Sequence, residues 1–242
     1  MILNLQHIKD SLDAIDKYHT PYDLNVIRLD KRYKTATKAT KNYPLNQVSC
    51  IVYTYFTKVA VDYYCREIVT PEVIKYLKNK YTQYDFWEDE YELGRKQLAV
   101  LANLGKITKP SLVFSRKFGL NCKIDAVFTN APFEEYAKFS GRRLFKPCVK
   151  CPAPCETKCP VGCKMTYYLN DPDVKKCDEY ITQHWNKPEN HCRICQEACP
   201  YSEKLLDRIP QKFHVRLWKP HPNDGREYWW NEVSHEWDLV SK

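Results

Sequence analysis

Nine of the 12 cysteines fall between Cys148 and Cys199, and their spacing is the feature of the chain that can do chemistry. They run Cys148-x2-Cys151-x3-Cys155-x3-Cys159-Pro160, then Cys163 and Cys177 singly, then Cys192-x2-Cys195-x3-Cys199-Pro200. Thiolates gathered in fours ligate either a tetrahedral zinc ion or an iron–sulfur cubane, and C-x2-C pairs serve both. The two x3-Cys-Pro endings separate these readings, because such endings close iron–sulfur runs and a zinc ribbon does not call for them. Zinc stays as the alternative metal. Disulfides are the third alternative, disfavoured in a reducing compartment.

The runs are similar to those of bacterial dicluster ferredoxins, where C-x2-C-x2-C-x3-C-P occurs twice and the last cysteine of each run ligates the other run's cluster. That resemblance implies crossed ligation. Cys148, Cys151 and Cys155 would share one [4Fe–4S] cluster with Cys199, while Cys159 would join Cys177, Cys192 and Cys195 around a second. Each proline then follows the cysteine that leaves for the other cluster, where it removes a backbone donor and fixes the chain's exit. The first run departs from the pattern by one residue, with Pro154 in the position expected for its third cysteine. Cys163, about one helical turn past Cys159, is a ninth candidate, either a substitute ligand or a buried bystander.

The elements that must position these thiols divide into parts. Composition shifts near Lys146-Pro147: twelve of the 18 tyrosines lie in residues 1–100, whereas residues 148–200 are rich in Pro and Cys and poor in apolar material. Three regions are expected: a globular α/β layer over residues 1–146, a metal-ordered unit over 147–202, and a tail over 203–242 holding four of the six tryptophans. So much aromatic surface is expected to pack the tail back on the core, with a stacking platform for a flat ligand as the alternative. Within the first region, Leu5, Ile8, Leu12 and Ile15 recur at helical spacing over residues 4–18. Residues 22–29 and 48–57 read as strands, the second buried on both faces. Pro71 opens a helix to about Lys80, residues 91–104 form another that stops at Gly105, and residues 111–115 and 122–129 are strands joined through a turn at Gly119. Interleaved helices and strands predict an α/β or α+β sandwich.

Charge and hydropathy exclude other classes. Mean hydropathy is −0.62, and the most apolar stretch, residues 50–56, is far shorter than the roughly 18–20 residues of a bilayer span. The first ten residues meet charge before an apolar signal core can form, so no membrane association and a cytoplasmic location are expected. The formal charge of +8 counts the cysteines as neutral. Eight thiolates around two cubane cores bring it to about +4, which weakens any argument for nucleic acid. The basic stretch over residues 31–41 reads as a solvated loop, with a phosphate-contacting patch as the alternative.

Several segments in one order resemble the epoxyqueuosine reductases, which share a corrinoid-binding core and two cubane clusters with reductive dehalogenases. Over roughly residues 45–202, the stretch from Gly105 through Lys109, Phe114 and Phe118-Gly119 to Val127-Phe128-Thr129 follows the family segment ahead of the first cysteine run. Cys177-Asp-Glu-Tyr180-Ile181-Thr182 resembles the family's lone-cysteine motif, and Cys192 through Ser202 resembles its closing one. The resemblance implies a nitroreductase-like corrinoid-binding α/β sandwich followed by a dicluster ferredoxin-like domain. It implies two [4Fe–4S] clusters, cobalamin beside the turn at Phe118 and Gly119, and a low-potential electron donor such as a flavodoxin or ferredoxin. Counting back from Gly105 places Asp89 at the family's catalytic carboxylate, with Asp85 and Glu90 as competitors and a helix-capping acid as the bland alternative. Val61-Asp62-Tyr63-Tyr64 stands where the family has R-D-Y-H. The implied reaction passes electrons through both clusters to a corrinoid that reduces a small or nucleoside-type substrate, tRNA among them, while an acid supplies a proton. A ferredoxin-type electron carrier or corrinoid-handling protein without turnover is the alternative.

Overall fold

The first helix, α1 (Leu5–Ile15), buries Ile8 and Leu12 along the stripe that the sequence spacing predicts. Each such side chain contributes about 1.5–3 kcal/mol on leaving water. The computed structural model describes residues 2–15, 21–29, 43–56, 69–88, 94–141, 143–163, 172–184, 192–210, 216–220, 227–231 and 236–239. The basic stretch 31–41, the residues 61–64, and Asp89 with Glu90 lie outside them. The chain is a mixed α and β structure forming two compact units: Met1–Tyr55, Tyr64–Lys106 and Lys123–Arg143 make the first, and Phe56–Tyr63, Ile107–Cys122 and Leu144–Lys242 make the second.

The first unit is built on a four-stranded sheet in the order β1 (Tyr22–Arg28), β2 (Ser49–Phe56), β6 (Cys122–Thr129), β3 (Phe86–Glu88). β1 and β2 are antiparallel, from Tyr22 opposite Tyr55 to Arg28 opposite Ser49, and β3 runs antiparallel to β6 with Trp87 opposite Phe128. Every residue of β2 is buried, as its Val-, Ile- and Tyr-rich run predicts of a strand covered on both faces. The helix α2 (Thr70–Lys80) begins with Pro71 in its first turn, where a missing N–H costs nothing. In α3 (Arg95–Leu101) the expected stop at Gly105 is corrected. Asn103 takes the left-handed conformation at φ 58°, and Leu104 N–H bonds the Ala99 carbonyl at 2.9 Å while Asn103 N–H bonds that of Val100 at 3.1 Å. These two bonds are a Schellman termination with asparagine in the glycine position. They free Gly105 to open a further strand, β4 (Gly105–Ile107).

β4 pairs with β5 (Val113–Ser115). Short helices follow: α4 (Pro147–Lys150), α5 (Pro154–Thr157), α6 (Pro172–His184), α7 (Ile194–Glu197) and α8 (Pro200–Leu206). The tail forms a three-stranded antiparallel sheet of its own, β7 (Arg216–Pro220), β8 (Glu227–Asn231) and β9 (Glu236–Leu239), with Trp218 opposite Trp229 and Trp230 opposite Trp237. Among the described residues no helix is long and apolar enough to cross a membrane.

Candidate metal centre

Prolines start several of the helices around the thiols. Pro147 opens α4 and its Cys148, Pro154 opens α5 and its Cys155, and Pro200 opens α8 directly after Cys199. The extra residue of the first run is absorbed just before α5, where buried Ala153 adopts φ 57°, ψ 53°. A non-glycine residue there costs about 1–2 kcal/mol, which the surrounding turn must offset.

The thiols' electrostatic neighbours fall into two sets that cut across the sequence runs. Burial raises the pKa of Cys148, and Cys199 and Cys151 raise it further. Burial likewise pushes Cys155 up to about 11, with Cys148 and Cys151 among its neighbours, and Cys199 is raised by burial and by Cys151. In the other set, burial raises Cys177, and Cys192 and Cys159 add to it. Cys195 is pushed up to about 12 by burial, then by Cys192 and Cys177. The two sets approach each other, since Cys155 also acts on Cys195. Raised values mean that these thiols hold their protons until a metal displaces them. Backbone amides oppose the rise at the inner set: Lys109 bonds Cys148, and Ser202 and Tyr201 bond Cys199.

Cys163 is placed with the second set. Its backbone N–H donates to Cys159 Sγ at 3.4 Å, and its side chain hydrogen-bonds Cys177, which lowers the Cys177 pKa. At 2% exposure it is more enclosed than Cys177. Among the described residues no group of three or more Cys, His, Asp and Glu side chains is drawn tightly enough to define a site for a single metal ion. The donor set itself, eight thiols with amide hydrogen bonds to the inner sulfurs, suits soft, thiolate-ligated iron.

Cys199 is backed by an apolar cluster of Phe114 and Leu120, against which Phe145, Tyr201 and Leu205 pack. Phe114 and Phe145 stack with centroids 4.0 Å apart. The turn between β5 and β6 is tied to α8 by Ser202, whose Oγ accepts from Leu120 N–H at 2.8 Å and from Asn121 Nδ2 at 3.0 Å. Gly119 has φ 61°, and a Cβ there would lie 2.5 Å from Ser202 Oγ and 2.9 Å from its Cα. Phe118 is buried with Phe56 and Ile209. Neither residue requires a cofactor to explain it. Gly119→Ala is expected to destabilise this unit by about 2–4 kcal/mol, combining left-handed strain with overpacking. A lowered thermal midpoint of the metal-loaded protein checks this, and an unchanged midpoint would mean that α8 yields.

Asn121 also accepts from Arg193 Nη2 at 2.8 Å. Arg193 stands between Cys192 and Cys195, at the residue before α7. Burial lowers its pKa to about 10, which leaves it protonated at neutral pH.

Among the carboxylates, Asp89 and Glu90 lie outside the described residues, and Asp85 is occupied. Tyr43 Oη donates to Asp85 Oδ2 at 2.5 Å, and the Asp85 backbone N–H bonds Asn130. The hydrogen bond to Asp85 raises the Tyr43 pKa, because it favours the protonated phenol. A carboxylate that sequence reasoning passed over is Asp125, fully buried in β6. It accepts from Thr70 Oγ1 at 2.5 Å and faces Arg95 Nη2 at 3.4 Å, while Tyr53 Oη bonds Thr70 and Glu88 lies 3.6 Å from Arg95. An acid flanked by Ile124 and Ala126 in an otherwise apolar strand was its signal. The network joins the starts of α2 and α3 to the sheet, and a buried charge so paired is costly to break.

No protein-family model matches the chain. No curated protein matches it either. Among solved structures, an epoxyqueuosine reductase from Bacillus subtilis, with its catalytic aspartate loop swung out of the active site, has a TM-score of 0.54 at 16% identity over 82% of this chain. An epoxyqueuosine reductase with an epoxyqueuosine-modified tRNA-Tyr stem loop gives a TM-score of 0.55 at 15% identity, covering 97% of this chain and 70% of its own. A reductive dehalogenase described with a B12-dependent mechanism gives 0.57 at 14% identity, over 81% of this chain and 31% of its own. The chain shares the fold of these reductases. This agrees with the resemblance read from the segment around Phe118-Gly119 and the cysteine motifs. The reductase fold here spans 65% of the length of the Bacillus subtilis enzyme.

Proposed function

We propose that the chain is an iron–sulfur and corrinoid-dependent reductase, with a nitroreductase-like layer and a dicluster ferredoxin-like unit. The observation that supports it most is the grouping of Cys148, Cys151 and Cys155 with Cys199, and of Cys177 and Cys195 with Cys192 and Cys159, on a fold shared with reductases. In this reading each set holds one [4Fe–4S] cluster by crossed ligation. The inner set, with Cys148, Cys155 and Cys199 all buried, keeps water from its sulfurs, and its amide donors stabilise the thiolates. The outer set, with Cys159, Cys177, Cys192 and Cys195 partly exposed, faces a low-potential donor such as a flavodoxin or ferredoxin. A corrinoid, assigned to the side of the Phe118-Gly119 turn, rests on the fold-likeness alone; when bound it would supply a strongly reducing metal centre. Asp89 donates the proton, because breaking a C–O or C–halogen bond leaves negative charge on the departing atom. The substrate class is small or nucleoside-type, a tRNA stem loop among the candidates.

Anaerobic purification and reconstitution is expected to give about eight iron and eight acid-labile sulfides per chain, with corrinoid retained. Stoichiometric zinc without broad visible absorption would sink the cluster reading. Full iron with no affinity for any corrinoid would leave a ferredoxin-type electron carrier.

A further inference from the structure

We infer that Ser202 is a positioning residue for the cluster held by Cys148, Cys151, Cys155 and Cys199: its hydroxyl clamps the first turn of α8 so that main-chain amides stay aimed at the Cys199 sulfur, which raises the reduction potential of that cluster. The inference rests on the two-cluster reading above. Pro200 has no N–H, so the first donors after Cys199 are the amides of Tyr201 and Ser202, and both bond the Cys199 thiol. The turn that presents them is closed on the Cys199 carbonyl, which accepts from Ser202 N–H at 3.0 Å and from Glu203 N–H at 3.3 Å. Packing holds the Tyr201 side, where the ring meets Phe145 edge-on with centroids 5.7 Å apart. Hydrogen bonds hold the Ser202 side. Its Oγ accepts from Leu120 N–H at 2.8 Å and from Asn121 Nδ2 at 3.0 Å, and Leu120 itself packs in the apolar cluster with Cys199. Arg193 Nη2 donates to Asn121 Oδ1 at 2.8 Å, and because a guanidinium only donates, the amide presents its NH2 to Ser202. At Gly119 the turn and α8 meet backbone to backbone, since a Cβ there would lie 2.9 Å from Ser202 Cα. Ser202 is 2% and Asn121 5% exposed, so water has little access to replace these bonds.

The consequence follows from where the added charge goes. A cubane with four thiolates takes one electron, its core passing from 2+ to 1+ with no proton and no bond broken, so the reduced cluster carries one more negative charge. An N–H aimed at a ligating sulfur stabilises the more negative state more strongly, and hydrogen bonds to the sulfurs are among the determinants of cluster potential. Ser202 acts through the amides it holds. Without its Oγ, Leu120 N–H and Asn121 Nδ2 become buried donors with that acceptor removed, so the turn between β5 and β6 no longer grips α8 and the amides lose their aim.

The test is a dithionite titration of the anaerobically reconstituted full chain, followed by electron paramagnetic resonance, with iron and sulfide assayed beside it. The signal that Cys177→Ala leaves unchanged marks the cluster in question. Ser202→Ala is expected to keep full iron and to shift the one-electron equilibrium of that cluster about tenfold towards the oxidised form, about 59 mV in potential. If Ser202→Ala loses iron, Asn121→Ala, which removes one of the two donors to Oγ, is expected to lower the same potential with a shift of about threefold. An unchanged potential in Ser202→Ala, or in Asn121→Ala where only that assembles, would overturn the inference, as would a shift confined to the other cluster. Loss of iron in both variants would overturn it too, because Ser202 would then build the site and not tune it. A wild type that binds iron but shows no [4Fe–4S] signal would fell the two-cluster reading itself, a result distinguishable from any shift.

Discussion

Cys177→Ala is expected to cut iron from about eight to about four atoms per chain while the other cluster keeps its spectrum. Cys177 lies on α6, apart from both runs in sequence, yet its electrostatic neighbours are Cys192 and Cys159. If it were a bystander, its loss would cost no ligand and the iron count would hold. The competing donor is Cys163, whose thiol hydrogen-bonds Cys177 and whose backbone N–H reaches Cys159 Sγ. A cluster that loses Cys177 therefore has a second sulfur within reach, and the single variant alone does not decide between them. Cys163→Ala is expected to leave both clusters intact, because a hydrogen bond to a ligand is worth far less than the ligand. The double variant settles the exchange. If Cys177→Ala keeps its iron and the pair of substitutions loses half, Cys163 steps in as ligand; if the double variant also keeps eight, neither residue ligates and the crossed arrangement is wrong.

How much of this was legible follows from the range over which each feature is encoded. The stripe of Ile8 and Leu12, the Val-, Ile- and Tyr-rich run of β2 and the strand of β6 after the Gly119 turn are written in neighbouring residues, and the elements lie where those patterns predict them. The end of α3 misled because glycine is the usual left-handed residue, whereas Asn103 does that work here and its side chain earns its position by bonding Lys138 O and Ser140 N–H. The tail was read as aromatic mass to be covered, and its sheet was missed: charged and polar residues interrupt the alternation around Trp218, Trp229 and Trp237, so no strand signal stood out. For the thiols, the x3-Cys-Pro endings gave an expectation of crossed ligation across some fifty residues, because ligand chemistry constrains spacing more tightly than packing does. No such constraint marks Asn121, Arg193 and Ser202. They are single polar residues far apart in sequence, and only the folded unit brings them to one hydrogen-bonded line.

Asp89→Asn carries the other large effect. Turnover with a verified substrate is expected to fall by about 10²–10⁴-fold, the range typical of a lost general acid, while iron content and corrinoid binding stay unchanged. The assignment rests on the register of Asp89 relative to Gly105. Two other carboxylates of the first unit are already employed. Asp85 accepts the Tyr43 hydroxyl, and Asp125 is enclosed with Thr70 and Arg95, where protonating a substrate would mean breaking a buried ion pair. The rival reading gives Asp89 no part in the reaction; it is not the cap of α3, whose N-cap is Gly94. In that case the near-isosteric asparagine would leave activity nearly intact. The two readings thus separate on one variant: a slow enzyme with full cofactors identifies the proton donor, and a fully active one ends the claim for Asp89 and turns attention to Glu90.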